Sequence, residues 1–276
     1  MVISLHSFLV LAAALASTGV AAGLLAGLLG VGGGIVIVPV FSFVLDMLGY
    51  APGVGMHVAV GTSLATIIAT SVASLRAHHA KGAVDLELLR RWAPAMFAAA
   101  GAGGFAARHI DGDAMRMVFA CVAVLVAVNM TLPGRFVVSD RLPEGAGGRA
   151  GLPAVIGFVS SLMGIGGGTL SVPLLTAFSY PARRAVGTAS AFGLVIAIPA
   201  TAGFIWSGMG VEGRPAFSLG YVNLLAAALI IPITMVMARQ GARIAHAIAP
   251  ELLKRLFALF LGATALRMFW SIYAAG

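Results

Sequence analysis

No lysine or arginine precedes Arg76, and the residues before it are almost continuously apolar. The same pattern runs to the end of the chain, as apolar stretches of helix length separated by short segments that carry the basic residues. Over all 276 residues, 60% are hydrophobic, 9% are charged and mean hydropathy is +1.04. A soluble domain carries about 25% charged residues, so this chain has too few to cover a surface facing water. Lipid must be its solvent, and only helices or a closed barrel satisfy the backbone there. The runs lack the alternating pattern of barrel strands, so the fold class is all-α, a polytopic membrane protein.

The formal net charge of +8 does not point to nucleic acid. The basic residues sit in short loops, as in the cytoplasmic loops of membrane proteins. The single Cys121 lies in the run FACVAVLVAV. It has no thiol partner for a disulfide or a metal and reads as a buried, inert thiol. A secretory signal needs a positive n-region. None precedes the first apolar run, which therefore reads as mature structure.

Ten apolar segments are expected, near 7–30, 35–49, 56–76, 88–107, 114–132, 151–164, 169–180, 186–206, 219–238 and 251–273. Spanning a bilayer takes about 20 residues. The segments at 35–49, 151–164 and 169–180 are short and read as halves of broken helices. What breaks them is visible. In GLLGVGGGIVIVPVF, residues 27–41, the glycines Gly32, Gly33 and Gly34 interrupt an apolar run, and Pro39 follows. In SLMGIGGGTLSVPLL, residues 161–175, Gly166, Gly167, Gly168 and Pro173 repeat the pattern at an offset of 134. Val60, Gly61 and Thr62 match Val186, Gly187 and Thr188 at an offset of 126. Pro94, Gly103, Phe119 and Met130 match Pro232, Gly241, Phe257 and Met268 at 138. Fixed offsets within blocks argue for duplication. Residues 1–132 form one repeat and 151–276 the other, joined by a polar, Gly- and Pro-rich linker at 133–150.

Charge placement orients the repeats. If the first two segments of each half together cross an even number of times, loops 3–4, 5–6, 7–8 and 9–10 lie inside with most of the basic residues. Only Arg108, Arg116, Arg214 and Arg267 are then left outside. A parallel duplication gives a much poorer separation, so the positive-inside rule favours inverted repeats with both termini outside. Trp92, Trp206, Trp270, Tyr50, Tyr180, Tyr221 and Tyr273 fall near segment ends, where amphipathic rings settle at the headgroups.

The glycine breaks carry the functional reading. Glycine unwinds a helix at low steric cost, and irregular backbone survives in a bilayer only inside protein or beside a water-filled cavity. A new helix is expected from Ile35 and from Thr169, each aiming free N–H groups and a positive dipole end at its break, a ready anion site. VGTSLAT, residues 60–66, and VGTASAF, residues 186–192, place Thr62, Ser63, Thr188 and Ser190 at helix starts, and Thr169 and Ser171 follow the second break. Hydroxyls donate to an oxyanion without adding charge. The competing reading is that small residues serve close packing and that Ser and Thr bond their own backbone.

The paired GxGGG with a proline five residues on, each followed by GT(x)S, resembles the TauE/SafE family of sulfite exporters, also called the 4-toluene sulfonate uptake permease family. HAKGAVD, residues 79–85, and GYVNLL, residues 220–225, are similar to its other recurring stretches. The resemblance covers nearly the whole chain. It implies a secondary transporter of sulfite, an organosulfonate or a related sulfur-containing anion in the inner membrane. The substrate site would comprise Gly32, Gly33, Gly34, Thr62, Ser63, Gly166, Gly167, Gly168, Thr169, Ser171, Thr188 and Ser190.

Other residues point less sharply. Asp46 and His57 could relay protons but more simply sit at the interface. His78 and His79 lie in a basic, solvated loop, Asn129 and Asn223 suit cross-helix hydrogen bonds, and Asp85 suits a helix cap. No glycine loop with a lysine suggests ATP, and no convergent acid, base or metal ligands suggest an enzyme. No cofactor is required. The expected partners are a small sulfur-containing anion and the lipid bilayer. An anion channel remains the alternative to a carrier.

Overall fold

The computed structural model describes residues 15–25, 33–131, 138–139, 142–143, 145, 147–245 and 250–275. Among them are ten α-helices. In the first half these are α1 (Leu15–Leu25), α2 (Gly34–Met47), α3 (Pro52–Ala80), α4 (Leu86–Ala106) and α5 (Gly112–Thr131). In the second half they are α6 (Leu152–Met163), α7 (Gly167–Ala177), α8 (Ala182–Gly208), α9 (Leu224–Ala245) and α10 (Pro250–Ala275). Five stretches, on α3, α5, α8, α9 and α10, are long and apolar enough to cross a membrane. Gly32 and half of the linker at 133–150 lie outside the described residues.

Three helix starts have a clear local cause. Asp85 caps α4, its Oδ1 accepting from the N–H groups of Glu87 and Leu88, both at 3.0 Å. Pro52 opens α3 at a position that needs no backbone donor. The expected ninth segment at 219–238 starts instead at Leu224. Ser218–Leu219 and Val222–Asn223 pair as a minimal antiparallel hairpin around Gly220, whose φ is +56°. The apolar Tyr221 and Val222 are buried there by contact with neighbouring helices rather than by being helical.

The molecule centres on α3 and α8. Gly61 lies against Phe204 and Gly193 against Ser71, so these two helices run antiparallel. Ala83 touches Gly187 and Gly104 touches Gly203, so α4 runs parallel to α8. Small residues set these distances. A methyl group on Gly61 would stand 2.6 Å from the carbonyl oxygen of Tyr221, and one on Gly203 would stand 2.6 Å from the Gly104 backbone. Such close backbone approach is the usual means of packing helices that gain nothing from excluding lipid.

Contacts between the halves come in pairs. Gly61 meets the Tyr221 carbonyl, and Gly187 meets that of Ala83. Thr62 Oγ1 accepts from the Asn223 N–H, and Thr188 Oγ1 accepts from the Asp85 N–H, both at 2.9 Å. Gly23 on α1 packs on Thr234 of α9, and Gly157 on α6 packs on Met96 of α4. Gly241 meets Leu24, and Gly103 meets Phe158. Each contact maps onto its counterpart through the sequence offsets of 126, 134 and 138.

Two side-chain expectations are corrected. Cys121 is exposed, not buried, because its face of α5 is turned away from the protein. Trp92 is 1% exposed and stacks on Phe192 at 5.7 Å, so it is a core residue rather than a headgroup anchor. Tyr221 is likewise buried, whereas Trp206, Trp270 and Tyr273 are exposed near helix ends.

Candidate anion site between two broken helices

A new helix starts within each glycine triplet, at Gly34 and at Gly167. α6 ends at Met163, and Gly164 turns the backbone left-handed with φ +64°. The N–H groups of Gly164 and Ile165 close the turn on the carbonyls of Ser161 and Ser160. Gly166 is extended, and α7 starts at Gly167, two residues before the expected Thr169. In the first half Gly33 is left-handed, φ +64° and ψ −27°, and α2 starts at Gly34. Only glycine adopts that conformation without strain. Neither α2 nor α7 has a side-chain cap, and both starts are buried. A helix leaves its first N–H groups without intrahelical partners and carries about +0.5 charge there. Two such ends are thus shut away from water.

A stripe along α3 joins them. A methyl on Gly34 would meet the Gly164 carbonyl oxygen at 2.5 Å, Ile67 at 2.9 Å and Ser63 Oγ at 3.0 Å. Gly167 lies against Phe192 and Gly193, and Gly193 in turn meets Ser71. Ser63, Ile67 and Ser71 follow one another at intervals of one helical turn. At 1.5 Å per residue the stripe is about 12 Å long, so both helix starts lie within about two turns of α3.

The structure sorts the hydroxyls by partner. Ser63 Oγ donates to the Gly164 carbonyl at 2.7 Å and so ties the second break to α3. Ser190 donates to the Gly187 carbonyl of its own helix at 2.6 Å. Thr62, Ser63, Thr188 and Ser190 lie inside α3 and α8 rather than at helix starts, and Thr62 and Thr188 hold the opposite half through the paired backbone contacts. Thr169 and Ser171 stand apart. Both are buried, and their hydroxyls have no hydrogen-bond partner. Ser160 and Thr201 share that condition. Sequence reasoning did not single out these last two. Ser160 carried a weak signal in its place four residues before Gly164, and Thr201 carried none. An unsatisfied buried hydroxyl costs about 1–3 kcal/mol, and three of the four flank the second break or begin α7.

Charged groups lie toward the ends of the helices. Arg116 is 2% exposed and bonds both oxygens of Asp46, at 2.8 and 3.1 Å, tying α5 to the end of α2. His57 faces carbonyl oxygens on both nitrogens: Gly53 at 2.6 Å from Nδ1, and Ala107 and Ile110 at 2.8 and 3.0 Å from Nε2. It clamps α3 to the corner after α4 and packs on the Tyr221 ring. Beside it opens a cavity of about 410 Å³ lined by His57, Arg108, His109, Asp111 and Tyr221. At the opposite end of α3, the Asp85 carboxylate accepts from the Tyr180 hydroxyl and lies 3.6 Å from Arg184. Partial burial opposes ionisation of Asp85, but the hydrogen bonds from Tyr180 and the Leu88 and Glu87 N–H groups, with the Arg184 charge, outweigh it. The carboxyl is held below its ordinary range. Among the described residues no three His, Cys, Asp or Glu side chains gather as metal ligands.

The chain is 34% identical to a probable membrane transporter protein of Haemophilus influenzae, over 91% of this chain and 95% of the relative. It is 30% identical to a probable membrane transporter protein of Methanocaldococcus jannaschii, over 97% and 99%. No solved structure matches it. The family model described as sulfite exporter TauE/SafE matches residues 15–268. A multi-pass transporter of the plasma membrane, not an enzyme, is what these matches and the five apolar spans describe. The chain thus belongs to the TauE/SafE sulfite exporter family.

Proposed function

We propose that this protein is a secondary transporter that carries sulfite, an organosulfonate or a related sulfur-containing anion across the inner membrane. The anion sits near the bilayer midplane, between the starts of α2 and α7. Gly33 and Gly34 open one wall, and Gly166, Gly167 and Gly168 the other. Thr169, Ser171 and Ser160 supply hydroxyl donors, while Ser63, Thr62, Thr188 and Ser190 hold the frame around them. The observation that carries the reading is the pairing of an uncapped, buried helix start with buried hydroxyls that lack partners, at Thr169 and Ser171. Helix N-termini aimed at anionic groups from discontinuous helices are a recurring arrangement in secondary transporters.

The halves, 1–132 and 151–276, are inverted repeats joined by a cytoplasmic linker, with both termini outside. Support comes from the paired contacts and from the antiparallel course of α3 and α8, which occupy matching places in the two halves. An inverted pair presents one gate to each side of the membrane, as alternating access requires.

Proteoliposomes loaded with unlabelled sulfite or methanesulfonate should accelerate entry of the labelled anion, and entry should saturate. Linear, unsaturable flux without acceleration would replace the carrier with an anion channel.

A further inference from the structure

The site's charge can be counted, and the count sets a substrate class. This rests on the transporter reading above. Two helix starts contribute about +0.5 each and the end of α6 at Met163, beside the second break, takes away about 0.5, so the site holds at most one positive charge. The hydroxyls of Ser160, Thr169 and Ser171 are buried, partnerless and neutral. No lysine or arginine lies on α2, on α6, on α7 or on α3 before Arg76. Arg116, the one arginine or lysine in the buried set of described residues, is held by Asp46 and Asp113. His57 has both ring nitrogens engaged by carbonyls and stands six residues before Ser63, about 9 Å along α3. The site can therefore neutralise one negative charge and no more. A second charge would be desolvated without compensation, which is costly in a low-dielectric interior.

We propose that the site selects singly charged oxyanions, hydrogensulfite or a monosulfonate, over doubly charged sulfite and sulfate. The partnerless hydroxyls fit this choice in a second way. Each both donates and accepts, so one of them can receive the proton of a hydrogensulfite O–H while others donate to the remaining oxygens. A lysine or arginine in their place would hold a dianion and would release it slowly.

The test uses purified full-length protein in nanodiscs, with calorimetric titration of methanesulfonate, sulfate and total sulfite. Each is measured one unit below and one unit above the pH at which hydrogensulfite loses its proton. Methanesulfonate, a monoanion throughout, should bind equally at both. Total sulfite should bind about tenfold more weakly at the higher pH, following the fraction of monoanion. Sulfate should bind at least about 100-fold more weakly than methanesulfonate. Sulfate binding as tightly as methanesulfonate, or sulfite binding that strengthens at the higher pH, overturns the charge selection and leaves the anion site standing. Binding of none of the three removes the site and this inference together. Thr169→Val in the same titration should weaken methanesulfonate, which ties the heat to the proposed site.

Discussion

The hydroxyls of Thr169 and Ser171 make an unusual demand: removing them should stabilise the empty protein. Thr169 is 2% exposed and Ser171 is fully buried, and neither hydroxyl has a partner. Thr169→Val replaces the hydroxyl by a methyl of similar shape, so the desolvation penalty disappears with little change in packing. Taking the low end of the about 1–3 kcal/mol assigned to an unsatisfied buried group, each variant gains about 1 kcal/mol without ligand. That is a rise of roughly 2–4 °C in Tm for a chain of this size. With the anion present the sign reverses. A hydrogen bond to a charged group contributes about 1.5–3 kcal/mol, so its loss weakens binding roughly 10- to 150-fold. Thermal scans in nanodiscs, with and without methanesulfonate, read both quantities. Ser63→Ala is the opposing control. It leaves the buried Gly164 carbonyl without its donor and should lower Tm with or without anion. If Thr169→Val and Ser171→Ala both lower the Tm of the empty protein and leave anion affinity unchanged, these side chains are structural and the site lies elsewhere.

Arg116→Met leaves Asp46 without its partner and should destabilise the protein by about 3 kcal/mol, the low end for a broken buried pair because the Asp46 side chain is 27% exposed; adding Asp46→Leu should restore most of the loss in an SDS-unfolding series. At Asp85, a carboxyl held below its ordinary range contributes stability at neutral pH that is lost as pH falls through its folded value. Asp85→Asn should therefore lower Tm at neutral pH and flatten the acid side of a Tm-against-pH curve.

Much of this architecture can be read from particular residues. Three glycines in a row followed by a proline, twice, locate the starts of α2 and α7 to within one or two residues, because few other sequences break an apolar helix there. Asp85 is legible as a cap because its carboxylate sits one residue before a helical run. The functions of Thr62, Thr188 and Ser63 are less legible. A hydroxyl in an apolar helix reads the same whether it holds a neighbouring backbone, bonds its own or waits for a ligand, and only tertiary packing distinguishes these. Trp92 and Cys121 illustrate the same limit in apolar terms. Hydropathy identifies a membrane helix but not which of its faces meets lipid and which meets protein. The hairpin at 218–223 is not legible because its buried tyrosine and valine look like the first turn of a helix.

The seating of α1 has a consequence for biogenesis. Gly19 and Gly23 fit against Ile233 and Thr234 of α9, a partner translated roughly 200 residues later, or about 10–40 s at common elongation rates. Throughout that interval α1 lacks the surface its glycines are shaped for. The insertion machinery or lipid must cover that notch until α9 is made, and a chain truncated before α9 would leave it open for good.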